Sequence, residues 1–136
     1  MKTEIIITSP TGLGLRNDQE GLGHYGAPRG KRKHRGYDFL CTPGQDVVCP
    51  VEFGKIIRVA YPDNDTQYLG VEIRGPHISI KLFYCDPWLS LIGKWVKRGE
   101  TIAIAQDVSN KYGKKMKPHV HLRITSIDPE MLIKQY

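Results

Sequence analysis

A chain of 136 residues with 40% hydrophobic and 25% charged side chains has the size and composition of one globular domain with a core of its own. Its formal charge of +6 favours an acidic partner such as nucleic acid, an anionic cell wall or an anionic membrane. No apolar run is long enough to span a bilayer, and the run Ile5–Ile7 behind Lys2 is too short for a secretory leader. Neither membrane insertion nor a signal peptide is therefore expected, and the chain is expected in the cytoplasm at synthesis. Cys41, Cys49 and Cys85 are odd in number and form no Cys-x-x-Cys pair, which fits reduced structural thiols better than a disulfide framework.

In chain order, residues 3–8 read as a first strand, stopped by Pro10 and Gly12. From Gly12 to Arg35 neither a helical nor a strand period is sustained. Seven glycines and prolines punctuate the stretch, which is predicted to be a long loop. It ends in a basic cluster, Arg29, Lys31, Arg32, Lys33 and Arg35, which is either a solvated loop or the electropositive rim of a site. His34 and Asp38 then stand four residues apart around Gly36, and a bend there could turn both toward one point. Imidazole nitrogen and carboxylate oxygen are both ordinary zinc ligands, although a surface His–Asp pair has the same sequence.

Beyond this point the chain is β in character. Asp46–Pro50, Gly54–Tyr61 and Tyr68–Arg74 are dense in valine and isoleucine, with glycine or proline at their ends, and Thr101–Ala105 is another short strand. His77–Cys85 alternates, with Ile78, Ile80, Leu82 and Tyr84 on one face and Ser79, Lys81 and Phe83 on the other. Residues 86–92 are predicted to make one short helical turn around Trp88, Leu89 and Ile92. A polar, basic stretch, Gln106–Lys117, leads into Pro118-His119-Val120-His121-Leu122. There Val120, Leu122 and Ile124 alternate with His119, His121 and Arg123, so both imidazoles project from one face of a strand. Such a pair binds a metal, or divides metal binding from proton transfer, or simply faces solvent. With no amphipathic helical period and no internal repeat, an all-β domain is predicted.

The ordered set His34-x-Gly36-x-Asp38, Pro43-Gly44-x-x-Val47-x-x-Pro50, Gly54-Lys55-Ile56, Val96-Lys97-Arg98-Gly99 and His119-x-His121 resembles the lysostaphin/LytM family of zinc endopeptidases. The similarity runs over about residues 24–125 of a single domain spanning 1–136. It implies a compact antiparallel, sandwich-like β domain whose long loops form a groove around a zinc site. It also implies cleavage of peptide cross-bridges in peptidoglycan. Carried over position by position, it makes His34, Asp38 and His121 the ligands of Zn2+. His119 becomes the general base for the water that attacks the peptide carbonyl.

One position departs from the family pattern. Members carry a second catalytic histidine nine residues before the glycine that opens Gly93-Lys94-Trp95-Val96-Lys97-Arg98-Gly99, and here that position is Tyr84. A tyrosine hydroxyl can still donate a hydrogen bond to an oxyanion. His77, seven residues upstream of Tyr84, is read as a turn residue after Gly75-Pro76. The segments Gly36–Cys41, Lys81–Tyr84 and Pro118–His121 resemble the leukocyte-derived chemotaxin subgroup, which also has tyrosine at that position. The resemblance therefore implies either a peptidase assisted by Tyr84, released to the wall by lysis or in a phage, or a catalytically impaired zinc module that binds cell wall or a protein. No recognition helix or aromatic RNA-binding motif accompanies the charge, so nucleic acid is not the expected partner.

Overall fold

β-branched residues alternating with polar ones fit a pleated, half-buried surface, and the runs that carry them become the strands. The computed structural model of the protein describes residues 3–18, 21–22, 28–29, 32–33, 36–62, 67–109 and 116–135. In chain order its strands begin with β1 (Thr3–Ile7), β2 (Asn17–Asp18), β3 (Gly21–Leu22), β4 (Pro28–Arg29) and β5 (Arg32–Lys33). They continue as β6 (Gly36–Leu40), β7 (Asp46–Val48), β8 (Phe53–Ala60), β9 (Gly70–Arg74), β10 (Ile78–Phe83) and β11 (Cys85–Pro87). A 3-10 turn, Leu89–Leu91, stands where the helical turn is predicted. The last strands are β12 (Trp95–Lys97), β13 (Thr101–Ala105), β14 (His119–Ile127) and β15 (Met131–Gln135).

Six strands form an antiparallel sheet in the order β12-β8-β9-β10-β14-β6, and three form a second in the order β11-β13-β7. Ile56, Ile73, Ile80, Leu82, Val120 and Leu122 of the larger sheet meet Val47, Ile102 and Ala103 of the smaller one in a common core. Each valine, isoleucine or leucine taken fully out of water contributes about 1.5–3 kcal/mol, so the alternation decides which face of each strand turns inward. This is the predicted all-β, sandwich-like architecture. The opposite face of the larger sheet is left to the polar half of the alternation, and the site lies there. Cys41, Cys49 and Cys85 are buried free thiols. No helix of the described residues is long and apolar enough to cross a membrane.

Several local expectations need correction. The predicted antiparallel order does not extend to β1, which pairs in parallel with β15, a strand whose run Met131-Leu132-Ile133-Lys134-Gln135 shows no period-two alternation. The stretch 12–35 is not uniformly irregular: Leu15 bridges to Phe39, and β2–β3 and β4–β5 are short antiparallel pairs. Within it Lys31, His34 and Arg35 lie outside the described residues, as do the side chains of Arg29, Arg32 and Lys33. Residues 110–115 of the polar stretch before β14 also lie outside them.

The strand predicted over His77–Cys85 breaks at Tyr84. Here the chain leaves the larger sheet at Phe83 and enters the smaller one at Cys85, and corners of this kind need a local bend. Tyr84 supplies it with a left-handed backbone, φ 68°, where a non-glycine residue is strained by about 1–3 kcal/mol. The corner is held because the amides of Tyr84 and Cys85 both donate to the Leu69 carbonyl, at 2.8 and 3.1 Å. Tyr84 therefore does not share the inward face of Leu82.

Candidate metal centre

β14 lies between β10 and β6, and its register sets His121 opposite Phe83 on one side and Asp38 on the other. Paired residues on adjacent strands share a face, so residues far apart in the chain meet there. Asp38 Oδ1 and His121 Nδ1 are 2.6 Å apart. Gly36 permits the approach: a Cβ at that position would stand 1.8 Å from the Leu122 carbonyl oxygen of β14. Any side chain at Gly36 would push β6 and Asp38 away from His121.

The second carboxylate oxygen is held from the other side. Arg16 Nε and Nη2 each lie 3.2 Å from Asp38 Oδ2, in a pair with side chains only 2% and 4% exposed. The backbone sets this up, since the Arg16 amide donates to the Asp38 carbonyl at 2.7 Å and the Leu40 amide to Gly14 at 2.8 Å. The segment 14–16 thus runs along the open edge of β6. The guanidinium fixes the rotation of the carboxylate, which leaves Oδ1 turned to His121.

His119 is 3% exposed, and its Nδ1 lies 2.9 Å from the Lys117 carbonyl oxygen. A carbonyl only accepts, so the proton sits on Nδ1 and the basic lone pair on Nε2, 3.9 Å from Asp38 Oδ2. Burial pushes the His119 imidazole below its usual pKa, opposed by the nearby Asp38 charge and the bond to Lys117. A neutral imidazole with its free nitrogen toward the carboxylate is the form a general base needs. The Tyr84 ring packs edge-on against His119 with centroids 5.4 Å apart, and edge-on against Tyr68 at 5.6 Å. The left-handed corner is what brings it there. The structure therefore gathers Asp38, His119, His121 and Tyr84 into one site.

His34, the third predicted ligand, lies outside the described residues. Among the described residues no group of three or more His, Cys, Asp or Glu side chains is arranged to hold a metal ion. Asp38 and His121 nevertheless present one carboxylate oxygen and one imidazole nitrogen to the same point, and that donor chemistry fits zinc. His77 is a turn residue paired with Asp128 at 3.4 Å and takes no part.

Sequence reasoning passed over Arg16 and Phe83. Arg16 carried no local signal, because it sits in a glycine-rich stretch and its partner is 22 residues away. Phe83 did carry one, as an aromatic on the polar half of an alternating strand. Its ring lies parallel to His121 at 6.1 Å, and the Arg123 guanidinium covers it at 5.1 Å. Gly70 makes room for that ring, for a Cβ there would be 2.8 Å from Phe83 Cδ1.

Known proteins bear on these features. Leukocyte cell-derived chemotaxin-2 of Bos taurus is 32% identical over 107 residues, which cover 77% of this chain and 68% of the relative. A Pseudomonas aeruginosa protein assigned to peptidase M23 superposes with a TM-score of 0.60 at 19% identity over 95% of this chain. This chain spans only half of that protein. The catalytic domain of lysostaphin, an antimicrobial peptidase from Staphylococcus simulans, gives 0.54 at 21% identity, covering 82% of this chain and 83% of the domain. At such identities the two structures share the fold. No protein-family model matches the chain.

Proposed function

This chain belongs to the lysostaphin/LytM family of M23 peptidases, in the branch of leukocyte cell-derived chemotaxin-2, and on that basis we propose that it is a zinc metalloendopeptidase acting on peptidoglycan peptides. The observation that carries the reading is the meeting of Asp38 Oδ1 and His121 Nδ1 beside a His119 whose tautomer is fixed by Lys117. His34, Asp38 and His121 would hold the metal, which when bound supplies a Lewis acid and an acidified water. Arg16 orients the carboxylate through Oδ2 so that Oδ1 serves the site. His119 accepts a proton at Nε2 while its Nδ1–H stays on the Lys117 carbonyl. Tyr84, in the place of the family's second histidine, donates its hydroxyl hydrogen to the developing oxyanion. Losing one such donor costs other enzymes about 100- to 1,000-fold, so exchanging it for a tyrosine is expected to slow the enzyme by less than that.

Two observations favour a second reading, in which the zinc site is kept but the chemistry is not: Tyr84 in that position and the 32% identity to a chemotaxin. One experiment separates the two. Metal content and muropeptide release from purified sacculi are measured on one preparation, beside His119→Ala and Tyr84→His. About one equivalent of zinc, with cleavage lost in His119→Ala and raised in Tyr84→His, supports the peptidase. Zinc retained with no cleavage by the native chain establishes the binding module in its place.

A further inference from the structure

The face that holds Asp38 and His121 continues across the whole larger sheet. Strand register sorts its side chains into rows that run perpendicular to the strands. Next to the row of Asp38, His121 and Phe83 lies a second row, Arg123, Lys81, Glu72 and Arg58. A third contains Arg74, Lys55 and Trp95, and Lys97 and Phe53 close the far edge. Apart from Asp38, six cationic side chains in these rows stand against the one carboxylate of Glu72. Glu72 is itself clamped by Arg58 Nε at 2.8 Å and Arg74 Nη2 at 3.3 Å. Trp95 and Phe53 are 60% and 42% exposed, with ring centroids 5.8 Å apart. Four strand spacings separate β14 from β12, a track of roughly 19 Å.

We propose that this sheet face binds an anionic glycan, lying across the strands from Arg123 to Trp95. Its acidic groups pair with the lysines and arginines, and one sugar ring packs on the exposed Trp95–Phe53 pair. The inference deepens the peptidase reading and rests on it, since an acidic glycan of the wall held on this face would keep the site beside the peptides it cleaves. The charges set the sign of the ligand. Their arrangement selects its class. Single-stranded nucleic acid would need aromatic rings along the cationic rows for successive bases to stack on, yet within these rows Phe83 is buried under Arg123 and the exposed Trp95–Phe53 pair stands at one edge. Glu72 in the middle of a row opposes a continuous run of phosphates, whereas a sugar chain with spaced carboxylates can pass over it.

The test titrates the full chain with an oligogalacturonate, as a carboxylated glycan, and with an oligodeoxythymidylate of equal charge, reading the heat of binding by calorimetry. Muropeptide cleavage is followed on the same preparation. Lys55 and Lys97 are exposed and flank Trp95 and Phe53, so Lys55→Glu with Lys97→Glu removes the charge match without opening the core. The expected result is glycan binding that weakens with salt, falls by about tenfold or more in the double variant, and falls again in Trp95→Ala. Unchanged melting temperatures would show that the fold is intact. Binding indifferent to the double variant overturns the proposal, as does an oligonucleotide that binds as tightly as the glycan. Glycan binding without cleavage overturns the peptidase reading alone, and cleavage without glycan binding overturns this surface alone.

Discussion

Arg16 offers a sharp test of how the centre is built. Its guanidinium places two nitrogens 3.2 Å from Asp38 Oδ2, and neither side chain has appreciable access to water. At an effective dielectric of about 20, charges at that separation attract by about 5 kcal/mol. Part of this returns in Arg16→Ala, because the arginine no longer has to be desolvated and Asp38 keeps His121. Removing one partner of a buried pair still costs about 3–5 kcal/mol, and the remaining histidine contact argues for the lower end. Urea unfolding of metal-free protein should therefore show a loss of about 3 kcal/mol at unchanged m-value, a large part of a typical domain's stability. Arg16→Lys should recover some of the loss, since it restores the charge without the two-pronged geometry. Zinc affinity should fall about 10- to 100-fold in both variants, as it does when outer-shell partners of metal ligands are removed. A loss under about 1 kcal/mol with unchanged zinc affinity would refute the role given to Arg16.

Gly36→Ala places a Cβ 1.8 Å from a backbone oxygen of β14, so β6 must shift. Loss of zinc binding together with a stability loss of more than about 3 kcal/mol is expected, read by metal content and urea unfolding. Gly70→Ala meets the Leu82 carbonyl at 2.2 Å and the Phe83 ring at 2.8 Å, and should likewise destabilise the sheet and disturb the ring stacked on His121. Burial pushes the thiol of Cys41 from 9.0 up to about 12, and raises those of Cys49 and Cys85. The native state thus holds its thiol protons to higher pH than the unfolded chain does. Their contribution to stability is full below pH 9.0 and is lost as pH rises toward about 12, which unfolding curves across that window will show. Iodoacetamide at pH 8 should label none of the three until the chain unfolds.

The strands were legible because their signal is local. The period-two run Ile78–Phe83 states both the element and its inward face, and Ile78, Ile80 and Leu82 follow it. The histidine pair on β14 was legible for the same reason. What the residues could not state locally was pairing over distance. Arg16 reaches Asp38 through a segment without period, and β15 finds β1 from the opposite end of the chain. Tyr84 failed differently. Its parity was read as though the strand ran straight, but one left-handed residue moves the ring off the face of Leu82 and onto His119. Sheet-switching corners override alternation because backbone direction there is set by which sheet the next strand joins.

That corner also says what the residue at position 84 can be exchanged for. Its backbone bonds run from the amides of Tyr84 and Cys85 to Leu69 and from the Gln106 amide to the Tyr84 carbonyl, and none of them involves the side chain. A histidine or a tyrosine therefore meets the same left-handed strain and projects toward His119, so the head group can change while the fold does not. Tyr84→Phe isolates that head group, because it keeps the ring contacts to Tyr68 and His119 and removes one oxygen. If the hydroxyl serves the oxyanion, muropeptide release should fall by about 100- to 1,000-fold, against a stability change of about 1 kcal/mol. Cleavage by Tyr84→Phe at the native rate would mean that the ring only packs against His119. The oxyanion role assigned to Tyr84 would then have to be abandoned.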